Sequence, residues 1–270
     1  MNKEILQQEL KALPLSKLDY FDSINSTNDL AAKWAAADSP DLSLIVANEQ
    51  TSGRGRSGRK WHTPADSAIA FSLLLRPNTG GDNFFKSEAV SLYTGLGAVA
   101  VCVALEKGFS LQPKIKWPND VLIAGEKVCG VLAESHWLGN HLSAIVIGIG
   151  INIASSSIPN KQLLNYPATC LEQAVGKSVD RVLLIRDILT ALISLRSSQT
   201  AQSFLAEWEA RLAFKNAAVL IQQTGKAEEI ATIEGLDEHG QIILSMENGQ
   251  KISKHYEEIQ IRPLVDSSRN

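Results

Sequence analysis

Apolar runs of strand length and apolar residues at helical spacing alternate along this chain up to about residue 212, separated by short polar turns. Ser26-Thr27-Asn28-Asp29 precedes the alanine-rich stretch Leu30 to Ala37, which predicts a helix opened by a hydroxyl cap. Leu44-Ile45-Val46-Ala47 and Ser67 to Arg76 predict buried strands, the second ended by Pro77. Across Glu88 to Lys107, Leu92, Leu96, Val99 and Val103 recur at helical spacing and predict a helix with one buried face. Lys114 to Trp117, Val121 to Ala124 and Val128 to Glu134 predict short strands, turned by Pro118-Asn119-Asp120 and Gly125-Glu126. Leu142 to Ile153 predicts a further strand, and Val182 to Arg196 and Phe204 to Leu212 predict helices. The strands follow one another in hairpins without regular βαβ alternation, so the fold class is α+β with a mixed sheet.

From Ala217 the texture changes. Val219 to Ile221, Ala231 to Ile233, Gln241 to Ser245, Lys251 to Ser253 and Ile259 to Ile261 predict short strands. Asp237-Glu238-His239-Gly240 and Glu247-Asn248-Gly249-Gln250 are turn signals, the Asn-Gly pair being a hairpin signature. Strands this short and closely spaced suggest a small SH3-like β-barrel. The boundary falls near residues 213–217, giving a larger domain over 1–215 and a small one over 216–270.

A chain of 270 residues, 44% hydrophobic, can bury a core large enough for such a pair. Its formal charge of −3 argues against a broad basic surface for nucleic acid or membrane. Cys102, Cys129 and Cys170 lie far apart in apolar runs and form no CxxC pair, as expected of reduced core cysteines in a cytoplasmic protein. Met1 to Leu13 mixes charge with Gln and does not read as a secretory signal. Ala89 to Leu105 is diluted by Ser91, Thr94 and glycines, and Leu142 to Ala154 is too short to span a bilayer. Buried elements are the expectation for both.

Against this slightly acidic background, Gly53-Arg54-Gly55-Arg56-Ser57-Gly58-Arg59-Lys60-Trp61 concentrates cations and glycines in one loop. Glycine allows close approach to a ligand, and guanidinium forks match carboxylate and phosphate oxygens. The loop is not a Walker motif, because Arg59 follows Gly58 where Lys and then Ser or Thr are required. Nor does an apolar helical pattern follow, as a dinucleotide fingerprint needs. A solvated surface loop is the plain alternative, and a clamp around a small anion accounts better for the alternation of Gly and Arg.

Lys116-Trp117-Pro118-Asn119-Asp120 forms a competent turn, and its carboxylate and carboxamide also suit Mg²⁺ bound through phosphate oxygens. Lys127 opens an apolar strand, where a surface hairpin lysine is the simplest reading. Asn152 lies in the apolar run Gly148 to Ile153 and must find backbone or ligand partners, since an unpaired amide there costs roughly 1–3 kcal/mol. His62, His136, His141, His239 and His255 show no metal-ligand spacing, and there is neither a GxSxG elbow nor a credible Cys–His pair.

Taken in order, Ser26-Thr27-Asn28, Gln50 with the GRGRSGRKW loop, KWPND at 116–120, EKVCGVLAE at 126–134 and GIGIN at 148–152 resemble the biotin–protein ligase family. The motifs cover roughly residues 20–155. The resemblance implies a catalytic domain of the biotin/lipoate ligase type, with ATP and biotin as substrates and Mg²⁺ as cofactor. The implied reaction makes biotinyl-5′-AMP and then transfers biotin to a lysine of a biotin carboxyl carrier domain. It implies catalytic roles for Arg56 and Lys127, and biotin contacts from Ser26, Thr27, Asn28, Gln50, Arg54, Gly55, Arg56, Lys127 and Gly130. Arg59, Trp61, Lys116, Asn119 and Asn152 fall on the ATP side, and Asp120 is the metal candidate. The chemistry is coherent, since joining a carboxylate to a triphosphate brings two anions together. Hydroxyl and carboxamide groups suit the ureido ring of biotin, and the strand Val128 to Leu132 can line its apolar chain.

Some members of that family carry an N-terminal winged helix and repress transcription. Only 25 residues precede Ser26 here, short of the about 60 such a domain needs, so no operator binding is expected. Ser52 stands where the family often has alanine, a change of little expected consequence. Lipoate or octanoate transfer on the same fold is the alternative, disfavoured by the ureido-type polar set. A nucleic-acid-binding module is disfavoured by net charge and by the lack of interleaved aromatics. A sheet extended across a two-fold through Leu142 to Ile153 is one route to a homodimer.

Overall fold

The computed structural model describes residues 1–77, 90–160, 162, 164, 166–198, 200–223, 227–255 and 259–264. Its elements run α1 (Lys3–Leu10), β1 (Lys17–Phe21), α2 (Thr27–Ala36), β2 (Ser43–Ala47), β3 (Ala68–Leu75), α3 (Val90–Phe109), β4 (Lys114–Lys116), β5 (Asp120–Ile123), β6 (Glu126–Leu138) and β7 (His141–Asn152). They continue with α4 (Leu171–Val175), α5 (Arg181–Ser198), α6 (Ala201–Ala210), β8 (Ala218–Gln222), β9 (Glu229–Leu236), β10 (Ile242–Met246), β11 (Lys251–Lys254) and β12 (Gln260–Pro263). The expected helix start at Glu88 and Ala89 lies outside the described residues.

The larger sheet has the order β1-β2-β3-β7-β6-β5-β4. Only β1 and β2 run parallel; the other ladders are antiparallel. Because side chains alternate across a strand, each central strand feeds two clusters. Ile69, Phe71, Leu73 and Leu75 of β3 and Ile145, Ile147, Ile149 and Ile151 of β7 pack in the main core with α3 and α5. Leu74, Ala144 and Val146 face the other way, onto Ala31, Trp34 and Ala35 of α2. That second face then becomes small and polar at Ser72, Gly148, Gly150 and Gly130, with Ser72 and Gly148 lying under the first turn of α2. By length and composition α3 passes for a membrane helix, yet most of it is buried inside the fold. The thiols of Cys102, Cys129 and Cys170 are free and buried.

Residues 145–152 of β7 are flanked by β3 on one side and β6 on the other. A two-fold sheet extension through this strand is therefore confined to His141–Ala144, where no β3 residue is paired.

The smaller sheet has the order β11-β10-β9-β8-β12. The barrel expected over 216–270 is not closed among the described residues, because β11 and β12 stay at opposite edges of an open sheet. A tryptophan docks this sheet on the rest. Trp208 of α6 is fully buried between Gly95 of α3 and Gly240 of the β9–β10 turn, and Trp117 Nε1 donates to Gly240 O at 3.0 Å. Ser91 Oγ adds a bond to His239 O at 2.7 Å.

A methyl group at Gly95 would overlap the Trp208 ring. Gly95→Ala gains about 1 kcal/mol of helix propensity but overpacks this contact at about 1–3 kcal/mol. Net destabilisation in urea unfolding is expected, whereas a gain in stability would show that the indole can move aside.

Candidate active site

Every candidate residue named from the sequence lines one cleft of ≈ 1110 Å³, formed on the glycine-bearing face of the large sheet. Gly130 pairs with Asp120 on one side and Gly150 on the other, at the centre of this floor. Next along β7, Gly148 lies under Asn28, and a Cβ there would overlap the Asn28 carboxamide. A Cβ at Gly150 would overlap the Trp61 indole. The floor is thus covered in order by a polar cluster, an aromatic ring and a cationic cluster.

The polar end is built on the start of α2. Ser26 caps the helix and accepts a hydrogen bond from Asp29 N at 3.4 Å. Gln50 Oε1 accepts from Thr27 N at 2.9 Å and Thr27 Oγ1 at 3.1 Å, while Gln50 Nε2 donates to Thr63 Oγ1 at 3.2 Å. Ser72 Oγ sits 2.7 Å from Thr27 Oγ1 and 2.6 Å from Asn28 Oδ1. Asn28 Nδ2 donates to Glu134 Oε2 at 2.7 Å and Leu132 O at 3.3 Å. Asn28 therefore holds this end together; its amide protons are already used.

The basic loop folds back on itself. Trp61 N donates to Gly53 O at 2.9 Å and Gly55 N to Arg59 O at 2.7 Å, around a 3₁₀ turn at Arg56–Gly58. Ser57 and Gly58 there adopt positive φ, 54° and 71°. The turn carries Arg56 Nη1 to Asn119 Oδ1, 3.1 Å away, and Asn119 Nδ2 donates to Val131 O at 3.0 Å. Arg54 lines the cleft with its guanidinium held by two carboxylates. Its Nη1 and Nη2 donate to the two oxygens of Glu134 at 2.9 and 2.8 Å, and its Nε lies 2.8 Å from Asp29 Oδ1. The bidentate bond to Glu134 raises its pKa further.

At the cationic end, Lys127 Nζ lies 2.7 Å from Asp120 Oδ1 and 5.3 Å from the centre of the Trp61 ring. Lys116 Nζ lies 4.9 Å from the centre of the Tyr166 ring. Desolvation lowers the Lys116 pKa, and Lys127, Arg59 and Arg56 lower it further against the pull of Asp120. Burial pushes Asp120 up, but Lys127, Lys116 and Arg59 outweigh it and hold the carboxyl below its ordinary range. Asn152 Nδ2 donates to Thr169 O at 3.1 Å, which gives that buried amide the backbone partner it requires. The Trp61 Nε1 proton is buried without a partner among the described residues.

No group of three or more His, Cys, Asp or Glu able to hold a metal occurs among the described residues. Asp120, already paired with Lys127, suits a Mg²⁺ ion that takes most ligands from phosphate and water, and does not form a protein cage. Burial raises the Cys129 thiol well above its ordinary pKa, so it remains protonated. Ser72, Asp29, Glu134 and Tyr166 were not among the candidates; an acid in the first turn of a helix, single polar residues inside strands and an isolated aromatic carry no local signal of a site.

Residues 20–152 match the model of the biotin/lipoate A/B protein ligase family. The biotin–[acetyl-CoA-carboxylase] ligase of Paracoccus denitrificans is 33% identical over 240 residues, 84% of this chain and 94% of that one. The chain belongs to the biotin/lipoate A/B protein ligase family. The bifunctional ligase/repressor BirA of Bacillus spizizenii is 39% identical over 172 residues, and the match spans about half (51%) of its length. The biotin protein ligase of Aquifex aeolicus, solved with biotin and ATP, superposes with a TM-score of 0.76 at 26% identity, over 93% of this chain and all of that one.

Asp120, with its depressed pKa, stabilises the fold above its unfolded value of about 3.9, and this contribution is lost as pH falls through its folded value. Asp120→Asn should accordingly lose less stability than wild type as the pH falls below about 4. Parallel acid limbs of the two Tm profiles would refute the assigned pairing.

Proposed function

We propose that the chain is an ATP-dependent biotin–protein ligase. The observation that carries this reading is the order of groups along the cleft floor: hydroxyl and amide groups, then the Trp61 ring, then Lys127, Lys116 and the basic turn. A ligand with a polar ring, an apolar chain and a terminal carboxylate fits that order. The naming of the relatives as biotin ligases supports the same substrate.

In this reading the biotin carboxylate attacks the α-phosphorus of ATP, a phosphorus–oxygen bond breaks, and pyrophosphate leaves. Lys127 binds the carboxylate and Lys116 the phosphates, so that two anions can approach in a cleft where permittivity is low. Ser26, Thr27 and Gln50 orient the ureido ring, and Gly130 leaves room for the chain. Trp61 packs against the adenylate, with Asn119 and Asn152 on the nucleotide side. Arg56 and Arg59 cover it and exclude water. Mg²⁺ beside Asp120 would neutralise phosphate charge. In the second step the amine of a carrier-domain lysine attacks the acyl carbon and AMP leaves, so this chain needs no nucleophile of its own. The catalytic unit is residues 1–215, and 216–270 closes one side of the cleft through Gln222, Gln260 and Arg262.

Pyrophosphate exchange into ATP with Mg²⁺ should be stimulated by biotin and not by lipoate or octanoate. Stimulation by either of those acids instead would assign the chain to acyl transfer on the same fold. A second test concerns the lid. Arg56→Gly removes the bond to Asn119 and should release preformed adenylate about tenfold faster, the effect of about 1.4 kcal/mol. Its Tm should stay within about 2 °C of wild type, and a larger drop would make the turn a structural element.

A further inference from the structure

We propose that Glu134 is a positioning residue that couples the basic loop to the polar end of the cleft. The inference rests on the ligase reading only for the identity of the ligand.

Glu134 lies on β6, opposite Val146 and two residues beyond the floor position Leu132. Its carboxylate accepts three protein donors. Oε1 takes Arg54 Nη1 at 2.9 Å, and Oε2 takes both Arg54 Nη2 at 2.8 Å and Asn28 Nδ2 at 2.7 Å. One side of this carboxylate therefore fixes the base of the loop, one residue from Gly53, which closes against Trp61. The other side fixes Asn28, whose Oδ1 is 2.6 Å from Ser72 Oγ; Ser72 in turn meets Thr27, and Thr27 meets Gln50. Asn28 cannot slide away from the sheet without losing Glu134, nor towards it, because it already lies on Gly148.

A bidentate Arg–carboxylate pair fixes orientation as well as distance. Asp29 holds the remaining Nε edge of Arg54 at 2.8 Å, but its side chain is about half exposed (49%), against 29% for Glu134. The Asp29 carboxylate thus bonds the loop side alone, its backbone N–H being the group that reaches Ser26 Oγ, whereas the Glu134 carboxylate bonds both Arg54 and the Asn28 side chain. This difference separates coupling from simple loop anchoring. A set polar end favours the closed loop base, and a closed loop base favours the set polar end.

The test uses the full chain, with trypsin cleavage at Arg54, Arg56, Arg59 and Lys60 located by mass spectrometry and no ligand present. Glu134→Gln and Arg54→Lys should both be cut in the loop about tenfold faster than wild type, as one lost charged bidentate contact predicts. Asp29→Asn should speed cleavage by a smaller factor. In biotin-dependent pyrophosphate exchange, Glu134→Gln should raise KM for biotin about tenfold with kcat changed less than threefold, while Asp29→Asn leaves KM near wild type. Glu134→Asp, which keeps the charge, should recover part of both losses.

Unchanged cleavage in Glu134→Gln would overturn the proposal, as would a KM effect equal to that of Asp29→Asn. Should wild type show no exchange with biotin, the ligase reading fails, and the ligand-free cleavage rates still decide whether Glu134 holds the loop. If Glu134→Gln is unfolded by circular dichroism, the Arg54→Lys and Asp29→Asn pair decides the loop side. Biotin KM in Arg54→Lys, which leaves the Asn28 bond intact, then decides the coupling: a rise supports it and a wild-type value overturns it.

Discussion

A cluster of cations at a partly buried cleft end needs a negative charge among them, and here that charge is the buried Asp120. Lys116, Lys127 and the basic turn converge on one end of the cleft, where burial and mutual repulsion already weaken the charged form of Lys116. At an effective permittivity near 20, unit charges about 4 Å apart interact by about 4 kcal/mol, so positive charge cannot accumulate there unopposed. The 2.7 Å pair between Lys127 and Asp120 is the opposing contact. It still leaves the cleft short of negative charge, and a phosphate or carboxylate entering it relieves the imbalance. The cleft end therefore carries an electrostatic deficit that the fold sustains through its core.

The sheet sustains it by keeping its two faces chemically different. Its odd-numbered side chains on β3 and β7 form the apolar core, so the strands cannot shift register without moving isoleucine onto the ligand face. On that ligand face, glycines let Asn28 and Trp61 lie directly on the backbone. Positioning is consequently inherited from strand register, and the polar and cationic groups hang from elements that the core has already fixed.

Most of this was legible in the residues. Strong periodicity gave β2, β3, β7, α3 and α5, and the ordered motifs gave the members of the cleft. The missed elements have weak local patterns. α1 buries only Leu6 and Leu10 among charged and amide side chains, and β1 is half-buried along its whole length. The short strands of the smaller sheet were readable, but closure depends on which edges meet, and no single strand encodes that. The protein partner of Arg54 was not legible for a related reason: Glu134 is 80 positions away, and cation-rich loops do not announce which carboxylate will pair with one of their arginines.

The bond from Trp117 Nε1 to Gly240 O joins two parts of the chain that the motifs would separate. Trp117 lies beside Lys116 and immediately before the Pro118-Asn119-Asp120 turn, and Gly240 belongs to the sheet that starts at Ala218. Cutting the chain after the last helix would leave an indole proton unpaired, bare one side of Trp208 and strip a wall from the cleft. The shortest fragment able to hold the cleft in shape is thus considerably longer than the stretch, ending at Asn152, by which the family is recognised.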